Sequence, residues 1–184
     1  MRKLINSTYL TLDGVIEHPI WTSPYFAEEA TELAAELTNG ADALLMGRAT
    51  YDGFSQAWPA MDENDPTTGA AFFNNVKKYV ASTTLKDPSW RNTEVLEGDL
   101  VEAVAKLKEQ DGRNIVQYGY GAVTAQLVTA GLVDEVKFWI HPVIVGAASF
   151  SSVLSDVKAT FELIDTRVFT NGVIVATYRP KATA

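Results

Sequence analysis

Short apolar runs alternate along the chain with segments whose apolar residues recur at helical spacing. Residues 3–10 read as a first strand, ending in the polar turn Thr11-Leu12-Asp13-Gly14. Residues 14–23 read as a loop that carries two large apolar side chains, Ile20 and Trp21. Ser23-Pro24 has the form of a helix start, a capping hydroxyl and then Pro at the first helical position. Glu28 and Glu29 follow where the helix dipole favours acids. Phe26, Ala30, Leu33, Ala34 and Leu37 form one apolar face, and Asn39-Gly40 closes that helix. Ala43–Met46 predicts a buried strand, 48–55 a short helix and 56–68 a surface loop. A short helix over 69–76 leads to a strand at 78–82 and a shorter one at 93–96. Asp99 caps a helix with Val101, Val104, Ala105 and Leu107 inward, which stops at Asp111-Gly112. Asn114–Gln117 is a strand, Gly121 to Ala130 a helix, and Glu135–His141 a strand ended by Pro142 and Gly146. Phe161–Phe169 and Val173–Tyr178 flank Thr170-Asn171-Gly172, a hairpin signal.

Strands and helices alternate to about residue 141, and a hairpin ends the chain. The pattern predicts an α/β fold with a doubly wound, mainly parallel sheet and an antiparallel C-terminal edge. One domain over 1–180 is expected, with a frayed tail at 181–184. Ligands of such sheets sit at the carboxyl ends of the strands. Three polar corners fall at such ends.

The first corner is Met46-Gly47-Arg48-Ala49-Thr50. Here Gly admits close backbone approach, the first-turn N–H groups are unpaired, and Arg adds a fixed charge. By itself it is either a phosphate cradle or a tight turn with a solvated Arg. Ser82-Thr83-Thr84 offers three hydroxyls after a strand, equally compatible with ordinary turn chemistry. Gln117-Tyr118-Gly119-Tyr120-Gly121-Ala122 places glycines between strand and helix. It falls short of a Gly-x-Gly-x-x-Gly fingerprint, because Thr124 takes the last position. Asp13 is either an Asx turn or a carboxylate at the cleft mouth, able to bind a polar substrate or relay a proton. His141 reads as packed or capped, and His18 as an exposed loop residue.

Composition narrows the classes. The net charge of −8 argues against a nucleic-acid partner. Zero Cys removes disulfides, thiol catalysis and thiolate metal sites. No metal constellation is found, and Asp62-Glu63-Asn64-Asp65 reads as a solvated loop rather than a cation site. No apolar run approaches the ~18 residues of a membrane span, and residues 1–6 lack a signal-peptide core. A cytoplasmic protein without a membrane partner is expected.

These motifs together resemble the dihydrofolate-reductase-like superfamily, in particular the branch similar to the reductase domain of bacterial riboflavin-biosynthesis proteins. The resemblance runs over about residues 2–178. Its elements are Tyr9-Leu10-Thr11-Leu12-Asp13-Gly14, Leu44-Leu45-Met46-Gly47-Arg48-Ala49-Thr50-Tyr51, Val80-Ala81-Ser82-Thr83-Thr84-Leu85, Tyr118-Gly119-Tyr120-Gly121, Ala130-Gly131-Leu132-Val133-Asp134-Glu135-Val136 and His141-Pro142-Val143-Ile144-Val145-Gly146.

The resemblance implies NADPH across the strand ends, a small-molecule substrate and a homodimer. By position it assigns Gly47, Arg48 and Thr50 to the cofactor phosphates. Ser82, Thr83 and Thr84 fall to the adenosine ribose, and Gly119, Tyr120, Gly121 and Ala122 to the pyrophosphate and nicotinamide. Asp13 faces the substrate. Read from the residues, Asp13 is the candidate for substrate binding or for proton supply through water, and Trp21, Trp58 and Tyr120 are the candidates for the apolar walls. Relatives commonly carry Arg or Lys where this chain has Thr83, so the grip on the 2′-phosphate rests on Arg48. Tyr120 stands where relatives have small residues, and either stacks near the nicotinamide or fills that pocket. The expected activity is an NADPH-dependent reduction of a small heterocyclic or ribosyl-aminopyrimidine-like substrate. The 14–24 loop offers only His18 to a substrate phosphate, so the substrate is expected to differ from the riboflavin intermediate. A nucleotide- or drug-binding protein without turnover is the alternative, and a flavin- or deazaflavin-dependent reductase a third.

Overall fold

The computed structural model describes residues 1–146 and 158–181. Its strands are β1 (Leu4–Thr11), β2 (Ala41–Gly47), β3 (Lys77–Ala81), β4 (Thr93–Val95), β5 (Asn114–Tyr118), β6 (Glu135–His141), β7 (Phe161–Val168) and β8 (Ile174–Pro180). The helices are α1 (Glu28–Asn39), α2 (Arg48–Ala57), α3 (Ala70–Asn75), α4 (Leu100–Glu109) and α5 (Ala122–Thr129). The eight strands make one sheet in the order β4-β3-β2-β5-β1-β6-β8-β7. Neighbours from β4 through β6 run parallel, and β8 and β7 add antiparallel. The expected fold class is the one observed.

The apolar pattern explains the layering. Central strands in a doubly wound sheet are buried on both faces and read as continuous apolar runs. In β2, Leu45 points into a core with Leu4, Ile115, Leu127 and Val136, beneath α4 and α5. Leu44 and Met46 point the other way, into a core with Tyr51, Phe73 and Val116 beneath α2 and α3. On that second face, Ile5, Trp139 and Val175 pack under Ala30, Leu33 and Leu37 of α1.

Several local expectations shift. Ser23-Pro24 does not start α1: it lies in a 3-10 turn, Pro19–Tyr25, and α1 begins at Glu28 after an extended Ala27. Trp21 and Tyr25 of this turn pack edge-on against the His141 ring at 5.1 and 5.7 Å, and this contact fixes the segment. Residues 56–68 are not all loop, because α2 runs to Ala57 and a 3-10 turn covers Trp58–Ala60. Asp62 and Asp65 there accept the N–H of Asn64 and Thr67 two residues on, both at 2.9 Å, as turn-forming side chains do. The C-terminal hairpin forms as expected. Its turn is closed by Gly172 N donating to Phe169 O at 3.0 Å, with only Gly172 left-handed at φ 89°. Lys181 is tied back by its N–H to Thr160 O at 2.8 Å, and the rest of the expected tail lies outside the described residues.

Candidate functional site

Strand order brings the corners together. β5 inserts between β2 and β1, and β3 lies on the far side of β2. The carboxyl ends of β3, β2, β5 and β1 therefore stand side by side, and the residues after them share one edge of the sheet.

At the end of β2, Gly47 caps α2 with no side chain satisfying the first-turn N–H groups. A Cβ on Gly47 would stand 3.3 Å from Val123 Cγ2 of α5, so this glycine lets the two helix starts converge. Arg48 bridges two corners. Its Nε donates to Asp52 Oδ1 and Oδ2 at 2.8 and 2.9 Å, and Nη1 donates to Thr84 Oγ1 at 3.1 Å. Ser82 Oγ accepts from Thr84 N and Leu85 N at 3.2 and 3.1 Å and so shapes the turn after β3. Thr83 is exposed. The same strand is braced from below by buried Lys78, whose Nζ donates to the carbonyls of Asn74, Val76 and Arg91 at 3.1, 2.8 and 3.1 Å. Burial, with Arg91 adding to it, lowers the Lys78 pKa to about 8.

At the end of β5, Gly119 takes a left-handed φ of 76°, and Gly121 caps α5, again without a side-chain cap. Thr50 Oγ1 lies 3.7 Å from where a Gly119 Cβ would be, so the first and third corners touch. A Cβ at Gly121 would meet nothing within 4 Å, which leaves room above the α5 N-terminus. A polar network holds this corner. Asn6 Nδ2 donates to Gly119 O at 2.8 Å and to Gln117 Oε1 at 3.3 Å. Thr8 Oγ1 donates to Asn6 Oδ1 at 2.8 Å, and Thr124 Oγ1 donates to Gly119 O at 3.3 Å. Asn6, Thr8, Gln117 and Thr124 are all buried. The motif reading passes over them. Their sequence signal is polar residues inside strands that are otherwise apolar.

Tyr120 does not stand in the cleft. Its side chain is buried in the core beneath α5, with the ring 6.1 Å from that of Phe138, and its hydroxyl has no partner among the described residues. Burial raises its pKa. Gly119 can turn left-handed without a Cβ penalty, and the following residue then points into the core.

Asp13 follows β1. Its Oδ1 accepts from Thr11 Oγ1 at 2.5 Å and from Val145 N at 3.4 Å, and its Oδ2 accepts from Gly146 N at 2.8 Å. The Thr11 bond, helped by backbone N–H groups against the opposing effect of desolvation, holds its pKa below the ordinary carboxylate value. Asp13 is thus charged at neutral pH and accepts hydrogen bonds. Trp21 stands near the same end, against buried His141, and its Nε1 has no partner among the described residues. Trp58 does not join it. It stacks on Phe73 at 3.9 Å and meets Phe54 edge-on, sealing the apolar layer under α2 and α3.

Two grooves lie elsewhere on the surface. One of about 610 Å³ runs between β4 and α4, past Glu94, Glu97, Asp99 and Glu102. One of about 220 Å³ lies at Lys3, Leu33, Glu135 and Lys137, near the opposite ends of the strands. The first has an acidic wall unsuited to phosphate. Among the described residues, no group of three or more His, Cys, Asp or Glu is placed to hold a metal. No helix there is long and apolar enough to cross a membrane.

The model of the RibD C-terminal domain matches residues 2–175. The chain belongs to the RibD C-terminal domain family. In sequence it is similar to YyaP of Bacillus subtilis, itself uncharacterized, at 28% identity over 96% of this chain and 94% of that one. In structure it is similar to a riboflavin biosynthesis protein from Shewanella sp. PV-4 (TM-score 0.70, 20% identity, covering 97% and 99% of the two chains). It is also similar to the Saccharomyces cerevisiae riboflavin biosynthesis reductase (TM-score 0.61, 14% identity, covering 98% and 90%). At these identities the structural likeness establishes the dihydrofolate-reductase-like fold. The yeast neighbour is described as a reductase, and a Thermotoga maritima neighbour as a deaminase/reductase.

Proposed function

We propose that the chain is an NADPH-dependent reductase of a small heterocyclic or ribosyl-aminopyrimidine-like substrate. One observation carries this reading. Two helix starts, α2 and α5, meet at the same sheet edge, each with a glycine cap and no side-chain cap, and Arg48 extends from one of them to the turn after β3. Unpaired N–H groups at helix starts favour anions, and the open space at Gly121 suits a phosphate. The bound nicotinamide would supply the hydride. The chain's part is to bind and orient. Gly47 to Thr50 and Gly121 to Ala122 offer N–H groups to the phosphates, and Ser82 to Thr84 offer hydroxyls to the ribose. Asp13, charged and held by Thr11 and Gly146, accepts hydrogen bonds from amino or ring N–H groups of a substrate. The left-handed, Cβ-less Gly119 leaves the cofactor side of this corner low. Burial of Tyr120 takes away the obstruction on which a binding-only reading depended.

The test is equilibrium binding of NADPH and NADH, followed by quenching of the four tryptophans. Reduced nicotinamide absorbance is then followed with a panel of aminopyrimidine ribosides. Arg48→Ala is expected to weaken NADPH by about tenfold or more, the scale of a charge-assisted contact, and NADH much less. Absence of binding by any dinucleotide overturns the reading. Binding without turnover across the panel favours a nucleotide-binding protein.

A further inference from the structure

No Lys or Arg occurs in residues 4–47, 114–136 or 138–157. Those stretches supply β1, the Pro19–Tyr25 turn, α1, β5 and the end of β6, which together make the α1 side of the carboxyl edge. Arg48 stands apart from it, at the α2 corner. Arg167 of β7 reaches α1 only toward its far end, where it donates to Glu36 at 3.0 and 2.8 Å. The charge that remains on this side is negative, with Asp13 ionised at the end of β1.

What this side offers instead is aromatic rings and hydroxyls. Ser7 of β1 is in register with Tyr118 of β5, so Ser7, Tyr9 and Thr11 share a sheet face with Tyr118. Along that face Ser7 Oγ accepts from Trp139 Nε1 at 3.0 Å. The Tyr9 ring packs edge-on between Trp139 and His141, and Thr11 holds Asp13. The core on this face forms two clusters, one under α1 and one under α2 and α3. Tyr9 borders the first and Tyr118 the second, so the two phenols flank the seam between them. Both are half-buried, and among the described residues neither hydroxyl has a hydrogen-bond partner. Burial pushes the Tyr9 phenol up to about 12 and raises Tyr118 as well, with Tyr9 beside it adding to the effect. Each therefore keeps a proton to donate. On the loops after β1 and β6, which Leu12 N joins to Val143 O at 2.8 Å, Leu12 and Ile144 are exposed at 61% and 72%.

We infer that this side takes a neutral aminopyrimidine-like ring or its riboside, without a phosphate: ring carbonyls accept from Tyr9 and Tyr118, and ring or amino N–H groups donate to Asp13. This deepens the proposed reductase reading and rests on it. A phosphate brought here gives up water, meets the Asp13 charge and finds no cation in return. A neutral ring gives up less, and the phenols replace the water it loses. Asp13 has room for the contact. A carboxylate accepts about four hydrogen bonds, and Thr11, Val145 and Gly146 take three, which leaves Oδ2 open to one more. The exposed Leu12 and Ile144 suit the rim of a site for an apolar ring rather than for a phosphorylated chain.

The experiment measures calorimetric binding of 5-aminouridine and 5-aminouridine 5′-monophosphate to the full chain saturated with NADP+, at low and high salt. NADPH binding without either probe is measured beside it. The riboside is expected to bind about tenfold tighter than its phosphate at low salt, the scale of one nearby like charge. The gap narrows at high salt through screening. A double variant, Tyr9→Phe with Tyr118→Phe, is expected to weaken the riboside about fivefold or more, the scale of a lost hydrogen bond, and to leave NADPH binding unchanged. Thermal melts verify that it folds. A phosphate that binds as tightly as the riboside overturns the inference. So does binding of neither probe, or a riboside affinity untouched by loss of both hydroxyls. In each of these cases the dinucleotide reading stands as long as NADPH binds. If NADPH does not bind the wild type, the reductase reading itself fails and the inference falls with it.

Discussion

His141 ends β6 with its ring buried among Tyr9, Trp21 and Tyr25, at centroid distances of 5.6, 5.1 and 5.7 Å. Nδ1 meets Trp139 O at 2.8 Å, so that nitrogen carries the proton. Burial lowers its pKa below 6.5, and the backbone bonds to Trp139 and Leu10 only partly oppose this. The neutral ring is therefore the form the fold prefers. Its contribution to stability is fully present above pH 6.5 and is lost as pH falls through the lowered pKa. Within that window the loss is at most about 1.4 kcal/mol per pH unit. Urea unfolding across that range checks this: His141→Gln should be less stable at neutral pH yet show a flatter acid limb than the wild type. A packed histidine was legible from its position before Pro142. The backbone partners of Asp13 were not, because the Val145 and Gly146 N–H groups lie more than a hundred residues away in the chain. Buried Asn6 and Lys78 were equally hidden, since a single polar residue in a strand does not reveal which distant carbonyls it will serve.

At the scale of elements, the converging starts of α2 and α5 govern the site. Gly47 has an ordinary φ of −79°, so its need for glycine is steric rather than conformational. Gly47→Ala is expected to cost about 1 kcal/mol or more by overpacking against Val123, and to reduce dinucleotide binding by spreading the two helix starts. Val123→Ala should relieve most of that cost in the double mutant, giving a coupling energy in a double-mutant cycle. Additive effects would show that the two helices do not constrain each other there. The helix over 100–109 and its Asp99 cap were readable because both signals are local: Asp99 Oδ1 accepts from Val101 N and Glu102 N. The start of α1 was misread for the converse reason. Ser23-Pro24 carries a valid local signal, but the aromatic contacts of Trp21 and Tyr25 with His141 hold those residues in a 3-10 turn.

At the scale of the molecule, β7 forms one edge of the sheet and exposes Leu163 and Val168, at 55% and 68%. Such an edge is a template for pairing with another strand. A second copy of the chain is the partner that the family resemblance implies, and we propose β7 as the edge it covers. In antiparallel pairing about Thr166, Asp165 of one copy faces Arg167 of the other, and Ile164 faces Val168. Sedimentation is expected to give a dimer for the wild type and a monomer for Val168→Lys. A monomeric wild type, or a dimer indifferent to that charge, removes β7 as the interface.

Sequence alone determined the alternation of strands and helices, the terminal hairpin and the glycine corners, because periodicity, capping and turn chemistry act within a few residues. It also located Arg48 at a strand end. Tertiary structure decided that β5 lies between β2 and β1, and so brought the corners to one edge. It also turned Tyr120 into the core, set the Val145 and Gly146 N–H groups on Asp13, and set Asp52 and Thr84 on the Arg48 guanidinium. Each of these depends on contacts between segments far apart in the chain, where packing and hydrogen-bond partners are chosen by the whole sheet rather than by neighbouring residues.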